Sequence, residues 1–326
     1  MKKVLWTALT AISLLTLLNC KKDTLKNSVN TTSPNQIIQD KGEKKSARID
    51  KSNDPDLKKL QAETLNKFSQ LEFNDPLTGS KMSYNLFIPK NYNKSKSYPL
   101  VLFMADASTV GKATTAPLIQ GYGGIVWATD ESQAQNPCFV LVPQYTTKAV
   151  NDDFETSDEV EMTLRLLNNV TSQYNIDTNR LYTTGQSMGG MMSMYFNITH
   201  PDLFAASIFV GCQWDTSKME SFAKNHFFYI VAAGDEKAPQ GMKDLKAVLE
   251  KEGAQISTAE WNAKLPETQQ NLNVEKLLSK DNDINFITFT KGSVLPPDGS
   301  GTEHMWSFDY AYKIKAVRDW LFAQKK

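Results

Sequence analysis

"LYTTGQSMGGMM" (residues 181–192) sets a serine between glycines, after residues that read as a strand and before a run that reads as a helix. The pattern is G-x-S-x-G, with Gly185, Ser187 and Gly189 at its fixed positions. Ser187 then has two readings. It is a small residue that suits a tight turn, or its hydroxyl is held out on strained backbone where a base can reach it. The bare pattern is common, and the strand-to-helix setting gives it weight. In that setting the amide of Met188, opening the helix, faces any negative charge that develops beside the serine.

A serine acting chemically needs a base, and the chain has three histidines. His200 ends the helix that starts at the serine, which carries it ~20 Å away. His226 begins a strand and so lies at the opposite sheet edge. His304, in the loop-like "PPDGSGTEHMW", follows the last strand and lies on the serine's side. Elimination leaves His304. An acid that orients the imidazole and stabilises its protonated form belongs just past a strand end. Asp235 in "FFYIVAAGDEKAP" holds that address, with Asp215 in "VGCQWDT" and Glu236 as alternatives.

Working outward, "QLEFND" and "MSYNLFIP" alternate with period two around a "DPLTGS" turn and predict an antiparallel pair. "YPLVLFM", "CFVLVP", "RLYTTG", "ASIFVG", "FFYIVAAG" and "INFITFT" are short apolar runs that suit strands buried on both faces. Between them, "SDEVEMTLRLLNNVTSQY" predicts a helix capped by Ser157, with Val160, Leu164, Leu167 and Val170 on one face. "GMKDLKAVLEKEG" and a single C-terminal helix, "SFDYAYKIKAVRDWLFAQ", complete the pattern. Strands alternating with helices predict an α/β fold with a mostly parallel sheet covered on both faces. Thirteen residues separate Cys212 from His226, too few for a large cap there. Residues 105–135 and 254–283 are the longer segments able to shape the site. Gln186 and Trp214 are candidate substrate contacts, and Trp127 and Trp306 also fall in or beside edge loops.

The stretches "YPLVLFM", "PCFVLVPQY", "YNIDTNRLYTTGQSMGGMMSMYFNITHPDLFAA", "AAGDEKA" and "EHMWSFDYAYKIKAVRDWLF" together resemble the α/β-hydrolases. The similarity is to the "predicted peptidase" and esterase branch, related to polyhydroxybutyrate-depolymerase-like and feruloyl-esterase-like enzymes, and covers residues 80–325. It implies an α/β-hydrolase fold without a large cap, a Ser187–Asp235–His304 triad and hydrolysis of a carboxylic ester through an acyl-enzyme. Relatives commonly carry His-Gly after the first buried strand, where a loop gives the second oxyanion amide. This chain has "FMADAS" there, so the donor falls to the backbone of Asp106 or Ala107, and an inward-facing Asp106 carboxylate would repel the oxyanion. A serine peptidase of the same fold, or a catalytically silent surface-binding protein, are the competing readings.

Lys+Arg and Asp+Glu balance at 36 each, which argues against nucleic acid as a partner. No Cys/His spacing suits a metal, and no cofactor is implied. The opening "MKKVLWTALTAISLLTLLNC" has two lysines and then an apolar run whose helical length of ~22 Å falls short of a bilayer core. It reads as a signal peptide over residues 1–19, and its ending resembles the lipobox of bacterial lipoproteins, with Cys20 acylated. That reading predicts a lipid-anchored tether over residues 20–65, a hydrolase domain over 66–326, and exposure in a bacterial cell envelope, anchored to a membrane. Cys138 and Cys212 fall at opposite strand ends, so they read as buried thiols and not as a bridge.

Overall fold

The computed structural model describes residues 49–326, so the signal peptide, Cys20 and most of the tether lie outside the described residues. Nine strands form one sheet: β1 (Phe68–Asn74), β2 (Lys81–Phe87), β3 (Tyr98–Met104), β4 (Phe139–Pro143), β5 (Ile176–Gln186), β6 (Ala206–Val210), β7 (Phe227–Ala232), β8 (Ile256–Trp261) and β9 (Ile284–Phe289). Their spatial order is β1-β2-β4-β3-β5-β6-β7-β9-β8. β1 pairs antiparallel with β2, and β2 antiparallel with β4. Every pair from β4 onward is parallel. This is the α/β fold read from the sequence.

The helices are α1 (Pro55–Thr64), α2 (Ala116–Ile119), α3 (Asp130–Gln135), α4 (Asp158–Gln173), α5 (Met188–Thr199), α6 (Ala238–Lys251), α7 (Glu267–Leu278), α8 (Glu303–Lys313) and α9 (Lys315–Ala323). Alternation along β3 feeds two cores. Leu100, Leu102 and Met104 join the apolar faces of α4, α5 and α6. Val101, Phe103 and Ala105 join α1, α8 and α9 on the other face. α4 forms as predicted: Ser157 accepts from Glu159 N, three acids crowd its first turn, and Val160, Leu164, Leu167 and Val170 are buried.

Several expectations change. The packed body begins before residue 66. Asp54 caps α1, Leu57 and Leu60 of α1 are buried, and Lys51 Nζ meets Asp309 Oδ2 at 2.8 Å. The last helix is two, because Ile314 adopts extended backbone (φ −69°, ψ 99°) and sinks into the core. Neither Gly nor Pro marks that break. Residues 254–283 do not shape the site; they supply β8, which pairs with β9 at the far sheet edge, and α7, which packs on α9. Cys138 and Cys212 are both free and buried.

Candidate active site

Ser187 follows the last residue of β5 and precedes the first of α5, with φ 51° and ψ −120°. Such backbone costs about 1–3 kcal/mol for a residue with a Cβ, so its surroundings must hold it there. Two glycines explain how. A Cβ on Gly185 would overlap the Gly189 carbonyl, and a Cβ on Gly189 would overlap the Met104 carbonyl oxygen. The turn closes on itself, and the start of α5 lies directly against the end of β3. Ser187 N donates to Val210 O at 3.0 Å, tying the turn to β6 as well.

His304 Nε2 lies 2.9 Å from Ser187 Oγ, and His304 Nδ1 lies 2.6 Å from Asp235 Oδ2. Serine, base and acid therefore form one hydrogen-bonded line, brought together from the end of β5, the start of α8 and the end of β7. His304 belongs to the first turn of α8 and not to a loop; Thr302 caps that helix by accepting from Met305 N. Its ring packs edge-on against Phe308 with centroids 5.0 Å apart, and its side chain is 30% exposed.

The Asp235 side chain is 3% exposed. Burial pushes its pKa up. The hydrogen bond and charge of His304, with the N–H groups of Lys237 and Ala238 at 3.0 and 3.3 Å, outweigh this and hold it below the usual carboxylate value. The acid therefore stays ionised opposite the imidazole. Asp215 is engaged elsewhere, capping a 3-10 turn through Ser217. His200 bonds Thr199 at the far end of α5, and His226 pairs with Asp283 at the opposite sheet edge.

Met188 is the first residue of α5, where helical N–H groups have no intrahelical partner. Across the contact of Gly189 with Met104 lies the segment of Asp106 and Ala107, the predicted second donor. The Asp106 carboxylate is committed: Oδ1 accepts from Ser108 N at 2.8 Å and Oδ2 from Gln186 Nε2 at 2.9 Å. Gln186 is 2% exposed and spends its amide on that bond, so it is not the substrate contact expected of it. Trp214 is likewise buried, its ring set between Phe154 (5.4 Å) and Tyr195 (5.8 Å). Trp127 is core, its indole N–H donating to Gly123 O. Trp306 donates to Ser300 O.

Three features escaped the sequence reading. Glu303 is buried beside His304 and accepts from Gly234 N (3.1 Å) and Gly292 N (2.9 Å), joining the acid's loop to the loop after β9. Phe154 sits at φ 63° and 36% exposed, lying over Trp214. Its neighbour Asp152 bridges Lys237, two residues past the acid (2.6 Å), and Gln213 after β6 (3.0 Å). Only the positive φ of a bulky residue is unusual, and a sequence does not display it. No group of three or more His, Cys, Asp or Glu among the described residues could hold a metal.

The model of the esterase family, described as "Putative esterase", matches residues 76–238, a span that contains both Ser187 and Asp235. The chain belongs to the esterase family. It is similar to the probable acetylxylan esterase A of Neosartorya fischeri, at 27% identity over 142 residues, 40% of this chain and 36% of that protein. Among solved structures it is similar to a thermostable esterase, at 26% identity and TM-score 0.67, over 81% of this chain and 64% of that one. A feruloyl esterase module from Clostridium thermocellum, bound to sinapinate, shares the fold at 13% identity and TM-score 0.52, over 77% and 86%. The chain thus spans about a third of the curated relative, and the α/β-hydrolase fold is what it has in common with the solved structures.

Proposed function

We propose that this esterase-family chain hydrolyses carboxylic esters through an acyl-enzyme on Ser187. The observation that carries the reading is the line Ser187 Oγ–His304–Asp235, at 2.9 and 2.6 Å, with the serine after β5, the acid after β7 and the base in the first turn of α8. Ser187 Oγ attacks the ester carbonyl carbon as His304 Nε2 accepts its proton. Asp235 accepts from Nδ1–H, fixes the tautomer and stabilises the imidazolium. The carbonyl oxygen gains charge opposite the Met188 amide and the Asp106 or Ala107 amide. His304 returns its proton to the departing alkoxide, leaving an acyl-serine. A water that gives its proton to His304 then attacks the acyl carbon, and the acid leaves.

For substrate we propose an acyl ester of a sugar or sugar polymer, an acetyl or aromatic acyl group being the case to try first. Two things support this: the similarity to a probable acetylxylan esterase, and the lack of a large cap after β6 among the described residues. We further propose that the protein is a lipoprotein acylated at Cys20 and exposed in the cell envelope, on the strength of its N-terminal sequence. Fatty-acid labelling that is lost in Cys20→Ala checks this.

The deciding experiment is labelling with a fluorophosphonate, wild type against Ser187→Ala, followed by turnover of acetyl and feruloyl esters, acetylated xylan and matched amides. Labelling confined to wild type, with ester turnover well above amide turnover, is expected. Amide turnover equal to ester turnover would move the assignment to a peptidase. No labelling of folded wild type would remove the catalytic reading.

A further inference from the structure

The two buried polar side chains beside the nucleophile have no part in the chemistry above. β3 and β5 are parallel neighbours in register at Met104 and Gly185, so the chain leaves the sheet side by side at Ala105 and Gln186. One strand continues into the segment of Asp106 and Ala107, the other into Ser187. Gln186 Nε2 reaches across to Asp106 Oδ2 at 2.9 Å, with the two residues 2% and 3% exposed. Three further bonds make Asp106 the hub of its loop: Oδ1 accepts from Ser108 N (2.8 Å), and its carbonyl accepts from Thr109 N (3.2 Å) and Thr109 Oγ1 (3.0 Å).

We infer that Gln186 and Asp106 are a positioning clamp, which fixes the second oxyanion donor relative to the nucleophile and turns a carboxylate away from the developing negative charge. This rests on the ester-hydrolase reading above. Two observations favour a clamp over passive filling. Gln186 is joined directly to Ser187, so a displacement of one strand end is passed to the other through a single hydrogen bond. Gln186 Oε1 is also buried without a partner. An apolar side chain of similar length would fill the space without that penalty, so what the position gains from glutamine is the donor on Nε2. Asp106, for its part, has one carboxylate oxygen on Ser108 N, and Gln186 Nε2 is the donor that takes the other.

The test exchanges the two polar roles. Q186E sets a carboxylate against a carboxylate; D106N/Q186E restores the bond with donor and acceptor reversed, while the asparagine can still cap Ser108. Wild type and variants are compared at pH 8 for kcat and KM on one acetyl ester, for the rate of fluorophosphonate labelling, and for thermal midpoint. Loss of an oxyanion donor lowers kcat about 100- to 1,000-fold, so a displaced one should lower it by about 10- to 100-fold. Q186E should show that drop with KM within about twofold, and D106N/Q186E should recover most of it. Q186M, which removes the bond without adding charge, stands in if Q186E does not fold, and should show the same split. A folded Q186E or Q186M with kcat within about threefold of wild type overturns the clamp. So does a folded double variant that stays as slow as Q186E. An unlabelled, inactive wild type overturns the ester-hydrolase reading instead, and the clamp with it.

Discussion

Gly189 and Glu303 show how little room the catalytic residues are left. Gly189 has no space for a methyl group, because the Met104 carbonyl oxygen occupies it. Backbone on both sides has to move to admit Gly189→Ala, and that motion separates Met188 from the loop of Asp106. The variant should lose at least ~100-fold in labelling rate even where it folds, the scale set by losing one oxyanion donor; labelling near the wild-type rate would contradict the geometry. Glu303 acts one residue from the base. Glu303→Ala takes the acceptor from Gly234 N and Gly292 N; Gly292 is exposed and Gly234 half-buried, so water partly replaces it and the cost is about 1 kcal/mol, while the loop that carries Asp235 is freed. A lower urea midpoint with a lower kcat is expected, part of both returning in Glu303→Gln. Ser187, Asp235 and His304 were legible because few residues of their types lie at the right strand ends. Glu303 was not, since a buried glutamate leaves no mark on the sequence.

At the level of elements, the loop between β4 and α4 sits beside the catalytic line. Val150 and Thr156 bridge its base, Phe154 stands at its tip on Trp214, and Asp152 fastens it to Lys237 and Gln213. The Asp152–Lys237 pair has both side chains more than half exposed, so solvent and salt screen it. The loop is held chiefly by the Val150–Thr156 bridge and by Thr146 N and Thr147 N donating to Glu159, with the edge-on contact of Phe154 and Trp214 at its tip. Phe154→Gly relieves the positive φ and removes the ring, so little stability should be lost. KM for an aromatic acyl ester should rise several-fold against an acetyl ester, as a paired kinetic comparison would reveal; equal changes for both esters would deny the ring a part in binding. The long apolar runs of β3, β5 and β7 and the stripe of α4 were plain in the sequence, because burial on two faces or one imposes a pattern. β8 was not: it is an edge strand whose polar half faces solvent, so "ISTAEW" looks like loop. The break at Ile314 was hidden for another reason, since tertiary packing makes it.

Across the whole molecule, the pair Arg165–Asp75 fastens the β1–β2 turn to α4 through two bonds of 2.7 Å. The Arg165 hydrogen bond, set against burial and joined by Thr78 and Leu77, holds Asp75 well below the usual carboxylate range. A depressed folded-state pKa contributes stability that is present above the unfolded value near 3.9 and fades as pH falls below it. The carboxylate has no exposed surface, yet Arg165 is 24% exposed and solvent screens the pair, so the contribution is about 1–2 kcal/mol. Asp75→Asn should lower the urea midpoint at pH 7, and by less at pH 2, where the contribution has begun to fade; an equal gap at both values would assign the effect to packing alone. The fold class was legible from strand–helix alternation, whereas this turn-to-helix tie, 90 residues apart in sequence, was not. Sequence distance also orders events at the site. The base is encoded 117 residues after the nucleophile and 69 after the acid, beyond the last strand. A partly folded chain that has paired β3, β5 and β6 holds the serine turn, but without α8 it has no proton acceptor there. The three side chains meet only when α8 docks, so the ester hydrolysis proposed for the site requires every strand of the sheet to have been encoded first.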